Sequence, residues 1–268
     1  MRGMRYLAAL VLLAAGAAGA AFPDKPVRLV TPYPPGGGTD LVARAMAQSF
    51  AKAWGQPVVV DNRGSGGGVI AAQMVAAAAP DGYTLMLANS AVMLTAPMMM
   101  KGAAGYDPYK DFAPVGLVTT LPAFLLAQVS LPATSVQDVI AMARATPGKL
   151  AFSSSGAGGG GYLSAELLKS LAKIDIINVP YKGGGPAIVA LLSGEVQLTF
   201  GNYTAARAHL LTQRIKAIAV ASAKRTILMP HVPTLIEAGL ADFEYSSWYA
   251  FYYPPRAPRD IVDNVNRE

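Results

Sequence analysis

Four glycine-rich segments constrain the fold of this chain most strongly, because each lies between a strand-like run and a helix-like run. They are 36–38 in PYPPGGGTD, 64–68 in NRGSGGG, 156–161 in SSSGAGGGGY and 183–185 in PYKGGGP. Glycine permits tight turns and leaves the backbone amides uncovered. A helix that begins at such a turn points unpaired N–H groups, and the positive end of its dipole, at the space in front. The pattern predicts a ligand site built from backbone and suited to an anion.

The N-terminus has the features of a secretory signal peptide. Arginines precede an apolar run at 7–15 and a small-residue stretch, GAAGAA, with cleavage expected after Ala20 or Ala21. The apolar run is too short for a membrane anchor, and no later stretch could span a bilayer. A signal peptide over 1–21 is therefore predicted. Since the chain has no lipobox cysteine, the processed protein is expected to be soluble.

Composition and charge exclude several classes of protein. With 268 residues, 53% hydrophobic and 14% charged, the chain is long enough for two lobes and is not a disordered type. It has no cysteine, so disulfides and thiol catalysis are excluded. Without 1–21, 20 basic and 16 acidic residues remain. No Lys/Arg cluster interleaved with aromatics occurs, so nucleic acid is not an expected partner.

Strand-like and helix-like segments alternate along the chain. Strands are predicted at 27–33, 57–61, 84–88, 114–128 (on both sides of Pro122), 149–153, 174–180, 196–200, 215–221 and 243–253. Helices are predicted at 42–53, 69–79, from Ser135 to before Pro147, and at 162–171, 186–192, 205–212, 234–238 and 258–268. Ser135 and Asp138 form a short capping box. This alternation predicts βαβ units and a mostly parallel sheet.

Two of the glycine segments resemble each other. After the run 32–38, PYPPGGG, two residues separate the last glycine from Leu-Val-Ala. After the run 180–185, PYKGGG, the same gap precedes Ile-Val-Ala. Chance similarity in a chain rich in glycine and proline is one explanation. The alternative is two α/β lobes that present matching turns toward a shared cleft, beyond the carboxyl ends of their strands.

Enzymatic and nucleotide-binding motifs receive little support. Gly156-x-Gly158-x-x-Gly161 matches the dinucleotide fingerprint literally, but so glycine-rich a run matches many patterns, and an exported protein would need an external cofactor supply. Both histidines lie away from the glycine turns, and no HExxH, nucleophile elbow or carboxylate pair occurs. No catalytic residue, metal or cofactor is therefore expected.

Several polar and aromatic residues allow two interpretations each. Asp40 is either a ligand contact or a charge that complements the first helical turn. Arg63 either holds its turn or attracts an anion. Ser154 and Ser155 lie at a strand end where hydroxyls can bind a ligand, but no base is visible beside them. We expect the aromatic side chains of 243–253 to pack in the apolar core instead of forming a platform on which a ligand stacks.

A set of collinear motifs strongly resembles the Bug family of extracytoplasmic solute receptors of tripartite tricarboxylate transporters. The motifs are VRLVTPYPPGGGTD, QPVVVDNRGSGGG, APDGYTL, YDPYKDFAPV, TPGKLAFSSSG, NVPYKGGGPA, SGEVQLTFGN and ASAKRTILMPHVPTLIEAGL, and the resemblance runs from residue 22 to the end. It implies a type II periplasmic-binding-protein fold: two α/β lobes joined by two hinge strands, with the ligand cleft between them. It also implies a periplasmic monomer that binds a small carboxylate or related anion and serves a permease with one large and one small subunit.

The resemblance also implies lobes and site residues. Lobe one is expected to comprise 22–122 plus 224–268, and lobe two 123–223. Lobe one would supply ligand-binding residues Tyr33, Pro34, Gly36, Gly37, Thr39, Asp40, Asn62, Arg63, Gly66 and Ser90. Lobe two would supply Ser154, Ser155, Gly156, Tyr181, Lys182, Gly183 and Asn202. Family members hold a carboxylate largely with backbone amides, hydroxyls and bridging waters.

Three departures from the family pattern matter. The turn after Ser155 usually carries hydroxyl residues and often a histidine, but here it is glycine from 158 to 161, followed by Tyr162. Gly201 replaces the usual aspartate beside Asn202. Both changes suggest a solute other than the dicarboxylates or amino acids of known binders. The chain ends inside a predicted helix, whereas the family continues, which implies a truncated C-terminal part of lobe one or a degraded gene.

Two alternative functions remain open from the sequence. A receptor of this kind could pass solute occupancy to a signalling partner instead of a permease. A hydrolase using Ser154 or Ser155 would instead turn over its substrate.

Overall fold

The computed structural model describes residues 22–64, 66–156 and 158–268, and the predicted signal peptide lies outside these residues. The strands are β1 (Val27–Thr31), β2 (Val58–Asn62), β3 (Thr84–Asn89), β4 (Ala113–Gln128), β5 (Ala151–Ser154), β6 (Ile177–Pro180), β7 (Leu198–Asn202), β8 (Ile215–Val220) and β9 (Ser246–Tyr253). The helices are α1 (Gly38–Trp54), α2 (Val69–Ala76), α3 (Ala96–Met100), α4 (Val136–Ala145), α5 (Gly160–Ala172), α6 (Gly184–Ser193), α7 (Tyr203–Leu211) and α8 (Arg259–Arg267). None of the described helices is long and apolar enough to cross a membrane.

The long strand β4 is shared by two sheets. In the first, the order is β2-β1-β3-β9-β4, and β1 pairs in parallel with β2 and β3. In the second, the order is β4-β7-β5-β6, with β8 also on β4, and β5 pairs in parallel with β6 and β7. Pro122 pairs with Ser246 in the first sheet, while the next residue, Ala123, pairs with Asn202 in the second. The strand therefore changes partners over one residue.

Helices pack on both faces of each sheet. In the first sheet, α1 and α8 cover one face around Phe50 and Phe251, and α2 covers the other around Met86. In the second sheet, α4 and α5 pack around Phe152, and α6 and α7 pack around Phe124. Each sheet thus has its own apolar core, as expected for an α/β chain whose buried strands read as continuous apolar runs.

The parallel strands bring their carboxyl ends to one region. β1, β2 and β3 end at Thr31, Asn62 and Asn89, and β5 and β7 end at Ser154 and Asn202. The four glycine-rich segments follow β1, β2, β5 and β6 and precede helices, as the sequence predicts. In sheets of this kind, ligands bind beyond the carboxyl ends of the strands.

Local signals predict some elements and fail at others. The N-terminus of α4 is confirmed: Asp138 N donates to Ser135 Oγ at 3.1 Å and the Asp138 carboxylate accepts from Ser135 N at 2.9 Å. The helix predicted at 234–238 is wrong. Thr234 and Glu237 exchange capping hydrogen bonds, but Gly239 at φ +88° ends the segment after one turn. Helix α3 was not predicted from the sequence, and all five of its residues are apolar.

Candidate ligand-binding site

The two similar bends, 33–38 after β1 and 181–185 after β6, contact each other. A Cβ atom at Gly185 would lie 3.2 Å from the carbonyl carbon of Gly36 and 3.2 Å from the nitrogen of Gly37. A Cβ atom at Gly183 would lie 3.3 Å from Pro34 Cδ. Gly36 and Gly183 also adopt φ values of +87° and +116°, which L side chains rarely take. The bends therefore meet backbone to backbone, with little room for a side chain between them.

A cavity of about 90 Å³ lies between the two sheets beside these bends. We call it the polar cavity. The hydrogen-bonding side chains in its lining are Tyr33, Thr39, Asn89, Ser155, Thr199, Asn202, Tyr245, Ser247 and Tyr249. The rest of its lining is Gly37, Gly38, Leu121, Ala123, Gly160, Gly161, Gly184, Ala187, Ile188, Phe200, Gly201 and Ala205. Every lining residue is apolar, glycine or neutral and polar, so an anion in this space would be held by dipoles instead of an opposite charge.

Four helices begin in the wall of the polar cavity. Gly38, Gly160 and Gly184 start α1, α5 and α6 and line the cavity, and α7 starts directly after Asn202. The residues that precede the first three helices are glycines, and none makes a side-chain capping bond. First-turn amides of a helix have no partner within the helix. They are therefore available to a ligand, and each helix adds about half a positive charge at its N-terminus.

The tyrosines of the polar cavity act as neutral hydrogen-bonding groups. The Tyr33 hydroxyl lies 3.3 Å from Asn89 Oδ1, and Asn202 Nδ2 donates to the Tyr249 hydroxyl at 3.3 Å. Burial raises the pKa of Tyr33, Tyr245 and Tyr249 above the usual 10.0. These hydroxyls therefore keep their protons at neutral pH and can donate to an anion.

Asp40 lies behind the first bend, outside the cavity lining. Its carboxylate accepts hydrogen bonds from Gly36 N, Arg44 Nε and Asn62 Nδ2, each at 3.0 Å. Burial alone would raise the pKa of this carboxyl, but the three hydrogen bonds and the Arg44 charge hold the pKa below 3.8. Asn62 also donates to Tyr33 O at 3.0 Å. Asp40 and Asn62 thus tie the bend to the end of β2.

The structure brings some predicted site residues together and leaves others apart. Those that line the polar cavity are Tyr33, Gly37, Thr39, Ser155 and Asn202. A second cavity is lined by Tyr33 and Ser155 again, and by Gly156, Tyr181 and Lys182. Outside both linings lie Pro34, Gly36, Asp40, Asn62, Arg63, Ser90, Ser154 and Gly183. The burial and surroundings of Gly66 lie outside what the structure describes.

Residues outside the linings have other contacts. Pro34 packs against Gly64, and Arg63 pairs with Asp61 at 2.9 Å, so its guanidinium holds its own turn. Ser90 lies beside the Tyr245 hydroxyl. Ser154 Oγ is buried without a hydrogen-bond partner among the described residues. No group of three His, Cys, Asp or Glu side chains in the described ranges is placed to hold a metal ion.

Five polar lining residues were not predicted from the sequence: Asn89, Thr199, Tyr245, Ser247 and Tyr249. Three of these alternate along one chain segment, and residues two apart on a strand share a face. The aromatic segment therefore contributes to both environments. Phe243, Phe251 and Tyr253 are core, as predicted, whereas Tyr245 and Tyr249 reach the cavity. The alternation of hydroxyl side chains was the available signal.

Residues 42–267 match the family described as "Tripartite tricarboxylate transporter family receptor", TctC. The chain belongs to this family. BugT of Bordetella pertussis is 36% identical to it over 246 residues, which is 92% of this chain and 76% of BugT. The resemblance to Bug proteins is thereby confirmed.

Three solved structures, one of them described as a periplasmic binding protein, share the fold of this TctC-family receptor. BugD matches with a TM-score of 0.87 and 34% identity, over 91% of this chain and 81% of BugD. R. palustris Rpa4515 with adipate matches with a TM-score of 0.88 and 39% identity, over 92% and 82%. MatC from Rhodopseudomonas palustris with bound malate matches with a TM-score of 0.85 and 35% identity, over 92% and 83%. The predicted type II periplasmic-binding-protein fold is confirmed.

Proposed function

We propose that this receptor captures a small carboxylated solute in the periplasm, between its two lobes, and delivers it to a tripartite tricarboxylate-type permease of one large and one small subunit. It acts as a monomer and performs no chemistry on the solute. The observation that carries the proposal is the convergence of four helix N-termini on a cavity lined by neutral hydrogen-bonding groups. The adipate and malate in two similar structures support a carboxylate as the ligand class.

The free-energy balance favours a carboxylate head group in the polar cavity. A buried carboxylate is tolerated only if hydrogen bonds replace its hydration. Free first-turn amides and the hydroxyls of Thr39, Tyr245 and Tyr249 offer donors from several directions. Hydrogen bonds to a charged group contribute about 1.5–3 kcal/mol each. Gly201 supports this role, because the glycine leaves the lining without the carboxylate that an aspartate would add.

Capture follows from the position of the cavity between the sheets. We propose one lobe boundary between Pro122 and Ala123, where β4 changes partners, as in the expected division into 22–122 plus 224–268 and 123–223. We move the second boundary from 224 to 246, because Leu235, Leu240 and Phe243 pack in the core around Phe152, and Ser246 begins the pairing of β9 with the first sheet. A solute that contacts both lobes binds the closed form more tightly than the open form. It therefore shifts the hinge equilibrium toward closure.

A hydrolase receives no support from the site. Ser155 lines the polar cavity and Ser154 is buried, but no described lining residue of that cavity is a histidine or a carboxylate that could act as a base.

Carboxylates should bind and their primary amides should not. We expect a carboxylate at a hundred times its Kd to raise the melting temperature of the mature protein by roughly 5–10 °C. The amide of the same acid has the same shape without the charge and should produce no shift. A thermal-shift panel of mono-, di- and tricarboxylates, followed by calorimetry, measures this. Equal binding of acid and amide, or no shift with any carboxylate, would refute the proposal.

Carboxylate affinity should be constant between about pH 6 and 9, since no lining group of the polar cavity titrates there. The raised tyrosine pKa values contribute stability that is present below pH 10.0 and is lost as the pH rises further. The lowered Asp40 pKa contributes stability that is present above pH 3.8 and is lost as the pH falls through the folded value. Calorimetry at three pH values tests this. A tenfold change would contradict the neutral lining of the polar cavity, because it would require a group that changes its charge in this pH range to contact the solute.

A further inference from the structure

A second cavity of about 310 Å³ lies beside the polar cavity. We call it the methionine cavity. Its lining is Pro32, Tyr33, Gly64, Gly67, Gly68, Val69, Ala91, Ala96, Met99, Met100, Ser155, Gly156, Gly159, Tyr181 and Lys182. Tyr33 and Ser155 line both cavities, so the two spaces adjoin at these side chains. A solute with its head group in the polar cavity would reach the methionine cavity by passing these two side chains.

The methionine cavity differs in chemistry from the polar cavity. Its side chains are mainly apolar, and Lys182, which is solvent-exposed, is the charged one among them. Met99 and Met100 are 51% and 41% exposed although they line a cavity. Methionine side chains are flexible and polarisable, and adapt to irregular apolar partners. An apolar group in this space would remove both methionines from water.

A contact between parts of the two sheets lies beside the methionine cavity. A Cβ atom at Gly158 would lie 2.8 Å from Met99 Sδ and 2.9 Å from Thr95 Cγ2. Met99 therefore reaches across to the glycine-rich turn that follows β5, and a side chain at 158 would displace it. Gly158, which belongs to one of the departures from the family pattern, is what leaves room for the methionine there.

We propose that the solute of this receptor is a monocarboxylate with an extended apolar tail, which occupies the methionine cavity. The inference rests on the proposed function, because it places the carboxylate in the polar cavity. A second carboxylate at the far end would lose hydration beside Val69, Met99 and Met100. Its available partner, Lys182, is exposed, and exposed ion pairs contribute little in water. An apolar tail gains from burial without this penalty.

The test is calorimetry of the mature protein with a series of straight-chain acids, from acetate through butyrate and hexanoate to octanoate. Affinity should rise by about fourfold for each methylene until the cavity is filled. A dicarboxylate of the same length as the tightest monocarboxylate should bind at least about tenfold more weakly. Affinity that does not depend on chain length, or a dicarboxylate that binds as tightly, overturns this inference and leaves the proposed function intact. Failure of every acid to bind overturns both.

A charge introduced at Met99 locates the tail. Met99→Glu should weaken octanoate binding by about tenfold or more, because it places a carboxylate beside the tail, and should change acetate binding much less. Met98→Glu is the matched control, since Met98 is 77% exposed and lies outside the lining. Equal losses for octanoate in the two variants, or equal losses for octanoate and acetate in Met99→Glu, would overturn the assignment of the tail to this cavity. Both methionines are surface-accessible, so neither variant should impair folding.

Discussion

Replacing Gly185 with valine should weaken carboxylate binding by about a hundredfold and leave the free energy of unfolding nearly unchanged. A Cβ atom there would lie 3.2 Å from the Gly36 carbonyl carbon and from the nitrogen of Gly37, and 3.4 Å from Pro35 O. These are backbone atoms, which cannot rotate away. Overpacking costs about 1–3 kcal/mol, and a hundredfold loss of affinity corresponds to about 2.7 kcal/mol. The two bends follow strands of different sheets, so the added side chain destabilises the closed form of the protein. Because the solute binds the closed form, its affinity falls.

An exposed position on another helix provides the control for this variant. Gly185 has no positive φ, so its backbone accepts valine locally, but Gly184 lines the polar cavity and cannot serve as a neutral position. Ala208 is exposed on α7 and lies outside the linings of both cavities, so Ala208→Val should reduce affinity far less than Gly185→Val. Calorimetry gives the affinities, and urea unfolding of the free proteins gives their stability. Unchanged affinity in Gly185→Val would mean that the bends do not need to meet when the solute is bound.

The sequence predicts the fold here because local signals and chain order agree. Each glycine segment follows an apolar strand and begins a helix, and the similarity of 32–38 and 180–185 indicates two turns that share a cleft. The structure places these turns in contact, with Gly37 and Gly185 backbone to backbone. Short-range patterns are sufficient for this, since strand, turn and helix propensities act over a few residues.

The cavity lining was harder to predict because it depends on long-range register. Tyr249 reaches the site because β9 lies between β3 and β4. There Tyr249 pairs with Asn89 of β3 and with Thr119 of β4. Nothing in the local pattern of the aromatic segment specifies those partners, because periodicity gives the face of a strand but not its neighbours. The role of Asp40 stayed open for a related reason. A carboxylate in a first helical turn suits both interpretations until its hydrogen-bond partners are known.

Asp40→Ala should lower both the stability of the protein and its affinity for the solute. Asp40 is 3% exposed, and its removal takes the carboxylate acceptor from Gly36 N, while Asn62 Nδ2 keeps Tyr33 O as an acceptor. Hydrogen bonds to a charged group contribute about 1.5–3 kcal/mol each, so we expect the free energy of unfolding to fall by about 2 kcal/mol. Because Asp40 also fixes the bend that carries Gly37 and Thr39 into the cavity wall, affinity should fall by about tenfold.

The exposed pair of Arg259 and Asp263 is the matched control, because it has the same four-residue helical spacing as Asp40 and Arg44. The Asp263 side chain is 54% exposed, so its interaction with arginine is screened by solvent. Asp263→Ala should change stability much less and should not affect binding, as urea unfolding and calorimetry will show. Equal losses of unfolding free energy in both variants would mean that the buried carboxylate contributes no more to stability than the exposed one. Reduced stability with unchanged affinity in Asp40→Ala would mean that Asp40 supports the fold without positioning the bend, and the geometry of the site would then depend on the glycine backbone itself.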